Sequence, residues 1–215
     1  YLLLLSSYNV ANSSIMARFV FKEKSIEPVI TSNQPGTLYI SNCPVEKNPF
    51  IGIKKKLKDL KQANNEISKW NSEIHVSNAS AQNSHLKDNS VDYIFTDPPF
   101  GENIQYSEVN FLSEAWLNKF TKNKDETIIS RHQKKDLQRY EQLLKSAFLE
   151  NFRILKSGKF MTVIFHNTKK DVWNSLQNAI TSSGFEIITS SILDKHQSSF
   201  KQTTTMGAVK KDIVL

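Results

Sequence analysis

The chain has a single cysteine, Cys43, among 215 residues. That excludes a disulfide framework and a cysteine zinc site, and a reducing, cytoplasmic compartment is the expectation. Glycine is scarce too. The six are Gly36, Gly52, Gly101, Gly158, Gly184 and Gly207, and no two are close enough to build a glycine-rich loop. The five histidines show no HxxxH or HxH spacing, so metal chemistry has little support. The longest wholly apolar run, residues 2–5, is far short of the ~20 residues a membrane helix needs, so no membrane partner is expected. No basic stretch precedes that run and no small-residue cleavage site follows it, which argues against a signal peptide. No serine sits in a nucleophile-elbow pattern, which argues against a hydrolase.

What is present reads as a globular chain. Charged residues make up 23% and hydrophobic residues 39%, a balance that can bury a core. Lysine and arginine number 28 against 21 acidic residues, a net charge of +7. An excess of that sign suits a nucleic-acid partner, because cations near phosphates release counterions. Five lysines, at positions 54, 55, 56, 58 and 61, crowd one region. They read first as a solvated helix face and second as a phosphate-contacting one.

The pattern divides near residue 72. Residues 1–72 form a mixed segment: an interrupted helical pattern over 1–21, a short extended piece at 37–40, and a helix over 53–70 with Ile53, Leu57, Leu60, Asn64 and Ile67 at spacings of three and four. Residues 73–215 alternate strands and helices. The expected strands are 74–76, 91–96, 160–165, 185–193 and 206–215; those at 91–96 and 160–165 are expected to be buried. The expected helices are 106–120, 135–155 and 171–183. The second of these carries the ladder Tyr140, Leu144, Phe148 and Phe152 and is expected to end at Ser157-Gly158; Gly184 stops the third. Residues 121–134 read as a polar loop. The alternation predicts an α/β fold with a mostly parallel sheet, its last two strands forming an antiparallel pair.

One motif carries chemistry. Asp97-Pro98-Pro99-Phe100-Gly101 directly follows strand 91–96, and ligands of open α/β sheets bind beyond the carboxyl ends of strands. Two prolines stiffen the loop and can hold one carboxylate and one ring in fixed positions. A carboxylate beside an aromatic plate suits a flat base that bears an exocyclic amine. Asp97 accepts one N–H, a proline-loop carbonyl accepts the other, and Phe100 stacks on the base, worth roughly 1–3 kcal/mol. A base in a duplex must first be flipped out of the stack. A plain turn is the alternative for the bare tripeptide. Tyr106 and His166 are candidate substrate contacts, His166 because it too follows a strand.

The stretch from Ser90 to Gly101, continued by Asn103-Ile104-Gln105-Tyr106-Ser107-Glu108 and by Glu114-Ala115-Trp116-Leu117, resembles the catalytic region of N6-adenine and N4-cytosine DNA methyltransferases. The late pieces Arg153-Ile154-Leu155-Lys156-Ser157-Gly158 and residues 209–215 share in the resemblance, which covers about 73–215. It implies a class I, Rossmann-like methyltransferase sheet and S-adenosyl-L-methionine as cofactor. It makes Asp97 the amine acceptor, with Asp97 also beside the cofactor, Pro98 and Pro99 the rigid loop, and Phe100 the stacking ring. Asn78 and Ala79 fall where such enzymes often carry an acidic residue near the cofactor adenine. DNA is the implied partner, with adenine N6 ahead of cytosine N4, and a restriction endonuclease subunit or domain is a further partner that the resemblance brings in. A guanine-amine RNA methyltransferase and a non-catalytic nucleic-acid-binding fragment are the alternatives. The family's glycine-rich cofactor loop has no counterpart here. The expectation is therefore a piece of a longer protein whose cofactor loop lies upstream of Tyr1.

Overall fold

A computed structural model describes residues 18–20, 29–31, 40, 42, 44–45, 48–77, 79–193 and 212–215. Its contacts sort into two compact units. One takes residues 1–76 and 106–122, the other residues 77–105 and 123–215.

In the first unit, β1 (Arg18–Val20) pairs antiparallel with β2 (Val29–Thr31). This corrects the helical reading at its end: Arg18, Phe19 and Val20 include β-branched and aromatic residues, and here they find a partner strand. Helix α1 (Pro49–Ile67) starts four residues before the expected point. Asn48 explains the early start. Its side chain accepts from the Phe50 N–H at 3.0 Å, and Pro49 occupies the first turn, where its missing N–H costs nothing. Lys54, Lys55, Lys58 and Lys61 are all exposed along it. The helix expected over 106–120 divides into α2 (Tyr106–Val109) and α3 (Phe111–Leu117), and α3 ends where Asn118 turns left-handed at φ 50°. No strand forms at 74–76. Val76 is 93% exposed, and three residues without a neighbouring strand gain nothing from extending.

The second unit holds β3 (Val91–Thr96), α4 (Leu137–Ile154), β4 (Leu155–Phe165), α5 (Lys170–Thr181), β5 (Ser191–Leu193) and β6 (Asp212–Val214). The sheet order is β3-β4-β6-β5. β3 and β4 are parallel, and β6 runs antiparallel to both β4 and β5. This is the open, mostly parallel α/β sheet with an antiparallel last strand that the alternation predicted. The expected strands 185–193 and 206–215 are described as strand only at their ends, and Cys43 lies outside the described residues.

Helices α4 and α5 cover one face of the sheet. The i, i+4 ladder of α4 puts Tyr140, Leu144 and Phe148 on the face that meets Val163 and Phe165 of β4. α5 adds Val172, Leu176, Ala179 and Ile180. Each such apolar side chain contributes about 1.5–3 kcal/mol on burial. The opposite face overturns the expectation of buried strands. Tyr93, Phe95 and Phe160 are 55%, 62% and 62% exposed. Their register, Tyr93 beside Phe160 and Phe95 beside Thr162, places them together on the side away from α4 and α5.

Helix α4 is capped by Asp136, whose side chain accepts from the Arg139 N–H at 2.8 Å. Ser157-Gly158 does not end it. Leu155 is already extended and pairs with Val91, so helix passes directly into strand. The register then jumps to Tyr93 beside Phe160, and residues 156–159, with Gly158 at φ 71°, form the resulting bulge. The loop over 121–134 is more built than its polarity implied. Ile128 is fully buried, and Lys135 donates to the carbonyls of Asn123 and Glu126. Burial pushes the Lys135 ammonium below its ordinary pKa.

The turn that introduces β3 is tied to the end of α4. The Asn89 and Ser90 amides donate to the Arg153 and Ile154 carbonyls at 3.0 and 2.9 Å. Buried Glu150 accepts from the Ser84 amide at 2.8 Å, the Ser84 hydroxyl at 2.7 Å and two Arg153 nitrogens at 2.8 and 2.7 Å. The Arg153 guanidinium first, then Ser84, holds the Glu150 carboxyl down at about 2 against an ordinary 4.5. A depressed carboxyl stabilises the fold above its unfolded pKa, and that contribution is lost as pH falls from 4.5 toward 2. We therefore expect Glu150→Gln to cost about 1 kcal/mol at neutral pH, the half-exposed guanidinium being partly screened. The variant's urea midpoint should also fall less steeply than the wild type's below pH 4.5. Parallel pH profiles would contradict this assignment.

Candidate active site

Because β3 and β4 are parallel and in register from Thr96 beside Val163, their carboxyl ends lie together. The topology therefore brings Asp97–Gly101 next to His166 and Asn167. Asp97 is exposed at the strand end, Pro98 is buried, and Pro99 and Phe100 are half-buried. The Phe100 ring packs edge-on against Phe165, with centroids 5.3 Å apart and planes at 89°. The His166 ring also lies beside it, 6.0 Å between centroids and tilted by 49°.

The backbone of the loop is held from three directions. The Tyr140 hydroxyl donates to the Pro99 carbonyl at 2.5 Å, Asn167 Nδ2 to the Phe100 carbonyl at 2.9 Å, and the Ile129 amide to the Gly101 carbonyl at 3.1 Å. Gly101 sits at φ 73°, and a Cβ there would meet Asn167, Val172 and Ile129 at 3.4–3.5 Å. The left-handed turn is what swings the chain back under these donors. Beyond it, Lys169 forms an ion pair with Glu102, which raises the Lys169 pKa.

The sequence-predicted residues divide accordingly. Asp97, Pro98, Pro99, Phe100 and His166 come together in one unit. Tyr106 opens α2 in the other unit. Asn78 lies outside the described residues, and Ala79 is exposed beside the Ser80–Asn83 bridge. Two loop-holding residues were not legible as such. Tyr140 looks like one more rung of an apolar ladder, and only its hydroxyl hints at a polar partner. Asn167 is the next residue after His166, and its signal is the asparagine immediately beyond a strand end.

A groove of about 800 Å³ among the described residues of this unit lies elsewhere. It runs beside β4 from Lys156 to Val163 and along Phe185 to Thr189, and its lining is mainly apolar. Glu186 and the rings of Phe152, Phe160 and Phe185 line it, but it lies along β4 from Leu155 to Val163 rather than beyond the strand's carboxyl end. The strand ends around Asp97, although open, are the better seat for chemistry.

No curated protein matches the chain significantly. A solved structure from Thermus thermophilus, provisionally named a DNA modification methylase, superposes with a TM-score of 0.37 at 14% identity. That match covers 64% of this chain and 49% of the other, so the chain spans about half that protein's length. A likeness this loose bears no weight. The sequence model of the RMKL-like methyltransferase domain, UPF0020, matches residues 40–162. The match covers more than half of the chain and takes in β3, the Asp97–Gly101 loop, α4 and the first part of β4. The chain belongs to the RMKL-like methyltransferase-domain family, UPF0020.

Proposed function

We propose that the protein methylates the exocyclic amine of a nucleic-acid base, and that the base is in DNA, adenine N6 ahead of cytosine N4. The observation that carries this is the Asp97-Pro98-Pro99-Phe100 loop at paired parallel strand ends in a methyltransferase-family chain. The Asp97 carboxylate accepts one amine hydrogen. Tyr140 already occupies the Pro99 carbonyl, so the proline carbonyl left for the second hydrogen is that of Pro98. Two acceptors draw the nitrogen lone pair out of conjugation with the ring and aim it. Phe100, gripped by Phe165, offers its remaining surface to the base. The basic charge and the exposed lysines of α1 support a polyanionic partner. Among the described residues no helix is long and apolar enough to cross a membrane. A cytoplasmic setting with DNA as substrate remains the favoured reading.

S-adenosylmethionine is the methyl donor we propose. The described residues do not build its seat. β3 has β4 on one side and no strand on the other, and no glycine-lined loop stands beside Asp97 among the described residues. The 215-residue chain alone is therefore expected to bind the donor weakly. Calorimetry should give no saturation at micromolar concentrations, and a micromolar Kd would contradict that.

The family match supports methylation without choosing between nucleic acids, so RNA guanine remains a second reading. Incubating the intact protein with methyl-labelled donor and either DNA or tRNA separates the two. We expect label in DNA. Label confined to tRNA favours the second reading, and label in neither sinks both.

A further inference from the structure

We infer that Tyr140 and Asn167 are positioning residues that hold the Asp97–Phe100 loop in its reactive shape; this rests on the amine-methylation reading. The loop itself has few means of staying put. Asp97 is exposed, and after the two prolines the chain must reverse through Gly101 at a positive φ. The prolines fix φ and hold the residues before them extended, but stiffness within the loop does not set where the loop points. That must come from outside.

The outside contacts fall on successive carbonyls. Tyr140 is fully buried in the core cluster with Leu144, Phe165 and Leu176, so its hydroxyl projects from a fixed ring. It donates to Pro99, two residues from Asp97. Asn167 is 8% exposed and is itself fixed at three points. Its Oδ1 accepts from the Lys169 amide at 2.8 Å, its backbone carbonyl accepts from Trp173 Nε1 at 3.0 Å, and its Nδ2 donates to Phe100. One donor comes from the sheet-covering helix α4 and the other from the turn after β4. Tyr140 thus reaches the loop from a helix, and Asn167 from a turn whose own backbone and side chain are tied down. The Pro99 and Phe100 carbonyls are thereby engaged from outside the loop, and they fix the path of the chain on which Asp97 stands two residues upstream.

Tyr140→Phe keeps the ring and removes one oxygen. Asn167→Asp keeps the shape and turns the donor into an acceptor facing a carbonyl. Both are tested in the intact protein below its unfolding temperature. We expect kcat to fall on the order of 100-fold in each, since displacing a reacting group by about 1 Å costs that much. KM for the nucleic acid should stay within about threefold, because neither side chain meets the strand. Amide exchange at Phe100 and Gly101 should speed up at least about tenfold while core amides of α4 keep their protection. A role in stability alone would instead speed exchange across α4 and leave kcat unchanged in the folded enzyme, and that result overturns the inference. So does unchanged exchange at Phe100 and Gly101. The exchange measurement reads the loop whether or not a base is methylated. Absence of methyl transfer by the wild type would therefore count against the proposed function, not against the clamp.

Discussion

Replacing Asp97 with alanine is expected to lower methyl transfer by at least about 10²–10³-fold, the range seen when one preorganised polar contact to a reacting centre is removed. The carboxylate stands exposed at the end of β3, beyond Thr96. Its loss should therefore leave the melting temperature almost unchanged, unlike the loss of a buried residue. Asp97→Asn is the informative companion. It keeps a carbonyl oxygen that can accept an N–H and should retain part of the activity, so the series wild type, Asn, Ala should fall in that order. Equal activity in all three would mean that the carboxylate is only the first residue of a turn.

The largest effect on stability is expected at Gly184, just past α5. It sits at φ 100°, and a Cβ there would lie 3.0 Å from two ring carbons of Phe152 and 3.2 Å from a third. Phe152 is half-exposed at the end of α4 and stacks edge-on with Phe185, centroids 5.2 Å apart. Its ring can swing away from an added methyl, but only by giving up that stack, worth about 0.5–1.5 kcal/mol. The positive φ adds about 1–2 kcal/mol for any residue with a Cβ. Gly184→Ala should thus cost about 2–3 kcal/mol in total, a fall of roughly 5–10 °C in Tm for a chain of this length. A double-mutant cycle separates the two causes. In a Phe152→Ala background the same substitution should cost only the backbone share, about 1–2 kcal/mol. An unchanged cost in that background would assign the whole effect to φ.

Some of this was plain in the residues. Val91–Thr96 is a strand with the bounds its β-branched run implies, and Asp97 follows it directly. The ladder of α4 buries Tyr140, Leu144 and Phe148, while Phe152, the fourth rung, is 49% exposed. What stayed hidden was what depends on partners distant in sequence. Asn48-Pro49 looks like a loop until one sees that the asparagine caps and the proline starts a helix. Gly158 looks like a helix stop, but Leu155 has already been captured by Val91. Apolar Tyr93 and Phe95 look buried, yet which face of a strand is covered depends on where the helices pack. The candidate site followed the same division. Its reactive motif is contiguous and was legible. Its supports, Tyr140 and Asn167, lie 41 and 67 residues from the atoms they hold, and a hydroxyl on an apolar ladder or an asparagine after a strand does not say which carbonyl it meets.

The most direct test of the account is the identity of the methylated atom. Nucleic acid treated with the intact protein and methyl-labelled donor can be digested to nucleosides and resolved by mass spectrometry. The account predicts label on an exocyclic nitrogen, N6-methyladenine before N4-methylcytosine, and its disappearance with Asp97→Ala. Label on a ring carbon, or label that survives that substitution, would contradict it.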